Sequence, residues 1–495
     1  MLYLKHVAIQ SYGEKVVFVH KDCTIYKVDD IKALTRVEIH GGEKPLYAFL
    51  NIVEDESIVA VDEIGVNDEA FIALGLPEGA LVTLLESEIP QSLESVIKKA
   101  QGNTLNSNEY ISIVTDIANG RYSNTDIAAF ITAFNSFATV NEVAYLAQAL
   151  SFGNRIYWDD ENIVSDTHTL GYVPANSTDI IATAIVAAYG LPILKSVVLN
   201  PLAYLGEAHT MQVFANLNID RLLLERMIKE NKGAIFNYEN IEGATASIKI
   251  RNICQYLNLK DKNMEIALMF AMKHQCGISH LAVDVPVGPQ GFVKNMKDSV
   301  DLRKTIEFVA KELGITADVS ITDGREPIGM GIGAVLEAKE VMRVLRMKEN
   351  APTDLIEKSL FVAGKVIDFD PKVKGGNGYT IAKEMLESGR ALDAFEHIVE
   401  AQEKLQSADL GTFVREIKSS SSGEIKSVSN RILTHIAVTA GVSQYAGSGI
   451  LLQKKTSDKV AKGDTLYKIY SNNSSDFALA CSMAESANGY EIGKS

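Results

Sequence analysis

The sequence has few cysteines, and none of them forms a C-x-x-C pair. Cys23, Cys254, Cys276 and Cys481 are the only four among 495 residues. Such sparse usage is typical of a reducing compartment, so the sequence predicts no disulfide. The histidines do not follow the spacing of any zinc motif, and we therefore expect no metal and no cofactor.

The sequence also lacks a run of Lys and Arg and a long apolar run. Its formal net charge is −15, which argues against a protein that holds nucleic acid through phosphate contacts. The longest apolar run, Ile180 to Leu194, is shorter than the roughly 20 residues that span a bilayer, and the N-terminus has no apolar signal segment. We expect a cytoplasmic protein with neither nucleic-acid nor membrane partners.

The composition is that of an ordinary globular chain, with 46% hydrophobic and 22% charged residues. Its length predicts several domains. Short alternating segments separated by turn residues indicate a β-rich domain over residues 1–86. Helical spacing then indicates a helical domain over 87–158, an α/β domain follows over 159–410, and an α+β domain over 411–495.

Local signals place individual helices and strands. Asn106, Ser123 and Thr139 each have the sequence context of a helix N-cap. After residue 163 strands and helices alternate, which predicts a mostly parallel sheet covered by helices. The segment SIKIRN, residues 247–252, is predicted to be one of these strands. Ligands on such sheets bind at the carboxyl ends of the strands.

One stretch, Asp166 to His209, organises the predicted site. A loop from Thr169 to Asn176 leads into an apolar helix that Ser177 and Thr178 open and Gly190 ends. A helix N-terminus that faces a Gly- and Pro-containing loop is an anion site in outline.

Three stretches carry a resemblance to a known family: DTHTLGYVPANS at 166–177, DIANGRYSNTDIAAF at 116–130 and TDGREPIGMGIGAVLEA at 322–338. They resemble the motifs of the thymidine phosphorylase and AMP phosphorylase family, the first of which reads D-[KV]-H-S-x-G-G-V-P-G-N-K. The resemblance implies an α/β fold in which a helical dimerisation domain, joined by a helix at about 257–280, accompanies a larger mixed or parallel α/β domain. It also implies a homodimer through the helical domain. The N-terminal β domain is similar to that of archaeal AMP phosphorylases.

Members of this family cleave the N-glycosidic bond of a nucleoside or nucleoside monophosphate with phosphate, and the resemblance assigns positions to both substrates. His168 falls where the family contacts the base. Thr169 and Lys195 fall at phosphate positions. The remaining positions implied to bind substrate are Gly171, Asn176, Ser177, Thr178, His209 and Lys273.

Several positions depart from the family pattern. Val197, Val198 and Leu199 replace two serines and an arginine, and Ser177 replaces a lysine. Glu207 stands where a threonine is expected, and a carboxylate there would repel phosphate. Tyr172 replaces the second glycine of the loop, while Leu268 and Met272 replace a hydroxyl and an ammonium at the base. These changes predict poor use of inorganic phosphate.

Two hypotheses remain open from the sequence. In the first, the site is rebuilt, and His168 and Glu207 form a catalytic pair on an N-glycosidic bond, with Lys195 and His209 beside them. In the second, the chain is a non-catalytic dimeric scaffold or ligand sensor. Glu207 and Lys195 then form an ordinary ion pair, and Tyr172 and Tyr204 fill the cavity.

Overall fold

The computed structural model describes residues 1–495 except 12, 24, 26–35, 43, 154, 159–160, 200–204, 407 and 494–495. Tyr204 therefore lies outside the described residues. The chain divides into two units, one of Met1–Leu150 with Thr245–Leu268 and one of Ser151–Ala244 with Met269–Ser495. Within the described ranges, every helix is too short or too polar to cross a bilayer.

The first unit begins with a closed six-stranded β-barrel. Its strands are paired in the order β1-β5-β2-β4-β3-β6. The elements are β1 (Leu2–His6), β2 (Val16–His20), β3 (Arg36–His40), β4 (Leu46–Val53), β5 (Glu63–Val66), α1 (Asp68–Leu74) and β6 (Leu81–Glu86). Alternate residues of β4, namely Leu46, Ala48 and Leu50, are buried, as expected for a strand with one face on an apolar core.

Four helices follow in the same unit. They are α2 (Ser92–Ala100), α3 (Ser107–Ala118), α4 (Asn124–Phe137) and α5 (Val140–Leu150). The predicted N-caps are confirmed, because the side chains of Asn106, Ser123 and Thr139 each accept from the backbone N–H three residues on. Apolar side chains at helical spacing fill the interior, and the rings of Tyr110, Phe130 and Phe134 contact one another there.

The second unit is built on a five-stranded parallel sheet in the order β11-β10-β7-β8-β9. The elements of this stretch of chain are β7 (Ser165–Thr169), α6 (Thr178–Tyr189), β8 (Ile193–Val197), α7 (Glu207–Met211), α8 (Arg221–Glu230), β9 (Gly233–Asn237), α9 (Thr245–Tyr256), α10 (Lys262–Gln275), β10 (His280–Val287), α11 (Met296–Glu312) and β11 (Thr316–Asp323). The predicted helix opened by Ser177 and ended by Gly190 is α6, and Gly190 has the left-handed conformation of a C-cap.

The strand predicted at 247–252 is wrong, because these residues lie in α9. Alternation of Ile248 and Ile250 suggested a strand. The buried face of α9 instead comprises Ala246, Ile250 and Cys254, which recur every four residues as on a helix. A short apolar run cannot be assigned from alternation alone, and here the longer period decides.

The remaining elements complete the second unit. They are β12 (Gly331–Ile332), α12 (Ala334–Leu345), α13 (Thr353–Ile367), α14 (Gly378–Glu387), α15 (Arg390–Ala401), β13 (Phe413–Lys418), β14 (Gly423–Val428), α16 (Asn430–Thr439), β15 (Gly449–Leu452), β16 (Lys459–Val460), β17 (Thr465–Ser471), α17 (Ser474–Ser486) and β18 (Tyr490–Gly493). Helices α13, α14 and α15 pack on α6. The C-terminal strands form two further sheets, β12-β15-β17-β13 and β16-β14-β18.

The predicted α/β class, with its helices and its parallel sheet, is confirmed. The boundaries at 86, 158 and 410 stay predictions. Residues 245–268 belong to the same unit as the four helices. The sequence predicted that a helix at about 257–280 would accompany them.

Candidate active site

The centre of the candidate site is the ammonium group of Lys195, in the middle of β8. Its Nζ lies 2.5 Å from Asp179 Oδ2 and 2.9 Å from Glu207 Oε2. It also donates to the carbonyl oxygen of Thr167 at 3.1 Å. Only 3% of the Lys195 side chain is exposed. One buried cation is therefore held between two carboxyl groups, one from the first turn of α6 and one from the start of α7.

The two carboxyl groups do not carry the same charge near neutral pH. Burial, together with the charge of Asp179, raises the pKa of Glu207 to about 8. Burial also disfavours ionisation of Asp179, but the charge of Lys195 outweighs it and lowers the pKa of Asp179. Two neighbouring carboxyl groups around one cation thus retain one proton, and it resides on Glu207.

A second buried lysine is neutralised in a similar way. Lys273 Nζ, on α10, lies 2.6 Å from Asp166 Oδ2, and neither side chain is exposed. It also donates to the hydroxyl of Ser196 at 2.9 Å, and that hydroxyl donates to Asp166 at 2.8 Å. Burial outweighs the attraction of Asp166 and lowers the pKa of Lys273. Lys273, predicted to bind substrate, is thus committed to contacts within the protein.

The two lysine clusters meet at one backbone carbonyl group. The carbonyl oxygen of Thr167 accepts from Lys195 Nζ at 3.1 Å and from Lys273 Nζ at 3.4 Å. The two buried ammonium groups are therefore close to each other beside β7. The action of His168 and Glu207 as a pair stays a prediction.

Three threonine hydroxyls near the start of α6 have no hydrogen-bond partner among the described residues. They are the buried Oγ1 atoms of Thr167, Thr169 and Thr178. Of the predicted substrate positions, Thr169 and Thr178 therefore keep polar groups that are not used within the protein. A buried hydroxyl without a partner costs free energy, so a bound molecule or water is the expected partner.

The loop between β7 and α6 adopts a fixed conformation. Gly171 has a φ of 87°, and a Cβ there would lie 2.5 Å from Cβ of Phe292, so only glycine fits. Asn176 Oδ1 accepts from the backbone N–H of Thr178 at 3.3 Å. Tyr172, which the scaffold hypothesis placed inside the cavity, has 40% of its surface exposed.

Ser177 contacts a buried carboxyl group that the sequence analysis missed. Its hydroxyl donates to Glu337 Oε2 at 3.1 Å, and the hydroxyl of Thr210 donates to the same oxygen at 3.1 Å. The other oxygen of Glu337 accepts from Gly333 N–H at 3.2 Å, while burial raises the pKa of Glu337. Glu337 belongs to the stretch TDGREPIGMGIGAVLEA. The sequence analysis used this stretch only for the family resemblance and did not identify Glu337 as a candidate.

His209 lies on α7 two residues after Glu207, and burial lowers its pKa. Leu268 and Met272 on α10 are 1% and 2% exposed, as expected for apolar replacements of polar residues. No group of three or more His, Cys, Asp or Glu side chains suited to a metal occurs in the described part of the chain.

The arrangement offers acid chemistry and little attraction for an anion. Lys195 is matched by the Asp179 carboxylate, and Lys273 by Asp166. The protonated Glu207 beside an ionised Asp179 is a set of groups that could donate a proton and stabilise a developing positive charge.

The fold defines the broad class of the protein. The chain is similar to anthranilate phosphoribosyltransferase from Thermus thermophilus, with a TM-score of 0.53 and 16% identity over 62% of this chain and 99% of that one. At this identity the likeness concerns the fold alone. Over that part, the chain therefore shares the α/β fold of that structure.

Sequence relatives identify the family. Residues 425–491 match the pyrimidine nucleoside phosphorylase C-terminal domain. Proteins named "Putative thymidine phosphorylase" are 36% identical in Methylococcus capsulatus, over 99% of this chain and 96% of that protein, and 36% identical in Bradyrhizobium diazoefficiens, over 99% and 96%. A third, from Albidiferax ferrireducens, is 34% identical over 100% and 95%. The chain belongs to the thymidine phosphorylase family, as its motifs predicted.

Proposed function

We propose that this chain is a divergent pentosyltransferase that cleaves the N-glycosidic bond of a nucleoside or nucleoside monophosphate without relying on inorganic phosphate. The observation that carries the proposal is the Lys195 ammonium held between Asp179 and Glu207 at 2.5 and 2.9 Å. The acceptor of the pentosyl group is water or another small nucleophile. Membership of the thymidine phosphorylase family supports the choice of bond.

The charges around Lys195 support a site that disfavours phosphate. A phosphate would have to compete with Asp179, which already neutralises the ammonium. At about 4 Å and an effective dielectric of about 20, each pair of like charges costs about 4 kcal/mol, or roughly a thousandfold in affinity. Phosphate-dependent cleavage at the rates of an active phosphorylase is therefore not expected.

The chemistry of the bond supports a role for the protonated Glu207. An N-glycosidic bond breaks through a cationic sugar, and the base leaves more readily if it receives a proton. Because the pKa of Glu207 is raised to about 8, its carboxyl group holds a proton at neutral pH. Glu207 then acts as the acid, while Asp179 supplies the negative charge that stabilises the cationic sugar. His168 remains a candidate for contact with the base.

The barrel and the helices of the first unit support proposals about the substrate and the oligomeric state. A closed barrel in residues 2–86 supports an arrangement like that of AMP phosphorylases, which favours a nucleoside monophosphate. We also infer a homodimer through the helices. Exposed apolar side chains at Ile97, Phe137 and Val140 support an interface there.

A panel of nucleosides and nucleoside monophosphates tests the proposal. We expect base release that inorganic phosphate does not increase, and a loss of roughly 10²-fold or more in turnover for Glu207→Gln and for His168→Ala, the usual effect of losing an acid or an electrostatic partner. Glu230→Gln, an exposed carboxyl on α8, is the matched control and should turn over normally. Strong stimulation by phosphate would refute the phosphate-independent mechanism.

One observation favours a second candidate, a non-catalytic nucleoside sensor. Both predicted substrate-binding lysines, Lys195 and Lys273, already have carboxylate partners. If no compound in the panel releases its base but one or more raises the thermal midpoint of unfolding, the sensor replaces the enzyme as the preferred function.

A further inference from the structure

The first unit contains a cavity unrelated to the site around Lys195. Its volume is about 70 Å³. Its lining includes Lys15 just before β2, Tyr47 on β4, Gly120 and Tyr122 between α3 and α4, and Lys249 and Asn252 on α9. The barrel, the turn before α4 and α9 each contribute to the wall.

Two ammonium groups converge at this cavity. The Nζ atoms of Lys15 and Lys249 lie 3.6 and 3.7 Å from the position that a Cβ on Gly120 would occupy. Because Gly120 has no side chain, the space between the two ammonium groups stays open. Burial lowers the pKa of Lys15, and burial together with the charge of Lys15 lowers the pKa of Lys249 to about 8.

Within the described residues, neither lysine has a carboxylate partner. Lys249 Nζ donates to the carbonyl oxygen of Ile117 at 3.0 Å, and Lys15 makes no ion pair with any of them. Glu14 also lines the cavity, but its Oε1 accepts from the backbone N–H of Asn124 at 2.8 Å, at the start of α4. Glu14 is thus a negative group of the same cavity, but it forms no ion pair with either lysine.

The neighbouring arginines differ in this respect. Arg121 lies over the ring of Tyr47 and is paired with Asp116 at 3.0 Å, and Arg36 lies over Phe49 and is paired with Asp126 at 2.5 Å. Partly buried charges are usually paired, so two adjacent lysines beside a cavity that form no ion pair with a described residue are a specific feature. Such an arrangement is costly unless an anion occupies the space between them.

We propose that this cavity binds a phosphate group between Lys15 and Lys249. The group is either inorganic phosphate or the phosphate of a small phosphorylated metabolite such as a nucleoside monophosphate or a pentose phosphate. About 70 Å³ accommodates a tetrahedral oxyanion in place of several waters. Ammonium groups form strong charge-assisted hydrogen bonds with phosphate oxygens, and the side-chain amide of Asn252 is a further donor.

Calorimetric titration of the full-length protein with inorganic phosphate tests the site. We expect one saturable site per chain, and a loss of roughly tenfold to a hundredfold in affinity for Lys249→Met and for Lys15→Met, as for the removal of a charged hydrogen-bond donor. Lys249→Arg keeps the charge and should retain most of the affinity. Lys44→Met, an exposed lysine of the barrel, is the matched control and should bind like the wild type.

Competition distinguishes the two sources of phosphate. A nucleoside monophosphate or pentose 1-phosphate that displaces inorganic phosphate and binds more tightly identifies a metabolite site, while weaker binding identifies inorganic phosphate as the ligand. Each variant is checked by circular dichroism, and Lys15→Met carries the test if Lys249→Met does not fold. Binding that neither lysine substitution weakens, or the absence of binding by all three ligands, overturns the proposal.

Discussion

Two pairs of buried or half-buried lysines, one pair in each unit, have opposite surroundings. In the second unit, Lys195 and Lys273 each lie within 2.6 Å of a carboxylate oxygen. In the first, Lys15 and Lys249 converge on a cavity and make no ion pair with any described residue. The side chains are chemically identical, so the difference lies in their neighbours. A lysine can bind an external anion only where no carboxylate of the protein already neutralises it.

The comparison predicts that the same substitution has opposite effects in the two units. Lys273→Met should lower the free energy of unfolding by roughly 3–5 kcal/mol, because it leaves Asp166 buried without its cation. Urea unfolding followed by circular dichroism measures the change.

The control is Lys297→Met, at an exposed position on α11, which should change stability by less than about 0.5 kcal/mol. The double variant Asp166→Asn with Lys273→Met should recover part of the loss, since it removes the uncompensated charge. Unchanged stability in Lys273→Met would show that the ion pair contributes nothing.

A second prediction concerns the proton on Glu207. Its pKa is about 8 in the folded protein and about 4.3 when unfolded, so only the folded state holds this proton between those values. The stabilisation is fully present below the lower value and is lost as the pH rises through 8. From pH 6.5 to 8, the advantage of the wild type over Glu207→Gln should fall by up to about 2 kcal/mol, at about 1.4 kcal/mol per pH unit.

The buried His209 and His274, whose pKa values are lowered, stay neutral in the folded protein across this window, and the difference from the variant cancels groups common to both. Denaturant midpoints at four pH values give the slope. Glu230→Gln should show a constant difference from the wild type. If the difference in stability between the wild type and Glu207→Gln does not change with pH, Glu207 is already ionised at pH 6.5.

The smallest expected effect is in the first unit. Lys249→Met removes a partly buried charge that lies close to Lys15, and should raise the free energy of unfolding by about 1 kcal/mol in phosphate-free buffer at pH 7. Added phosphate should reduce or reverse this gain, because only the wild type then binds the anion tightly. Destabilisation without phosphate would indicate that the Lys249 side chain is valuable for its packing.

Features specified by neighbouring residues could be predicted from the sequence. The N-caps at Asn106, Ser123 and Thr139 depend on contacts three residues away. The motif around His168 likewise indicated the carboxyl end of a strand, and His168 lies near the end of β7. The contact between Lys195 and Glu207 was part of the scaffold hypothesis, and the two side chains lie 2.9 Å apart in the structure.

Features that depend on distant residues could not be predicted. Asp179 reaches Lys195 across a helix and a strand, and Glu337 reaches Ser177 from far along the chain. Lys15 and Lys249 belong to the barrel and to α9, and the latter had been assigned to a strand. Spacing within one segment carries no information about such pairs, because the tertiary fold alone brings them together.

The pairing of β12 with β15 has a consequence for synthesis of the protein. Ile332 pairs with Ile450, so the short strand leaves the ribosome long before its partner exists. At typical translation rates of about 5–20 residues per second, the delay is on the order of ten seconds. During that time the two residues of β12 have no strand partner, and the nascent chain exposes their backbone N–H and C=O groups, at which aggregation could begin or a chaperone could act.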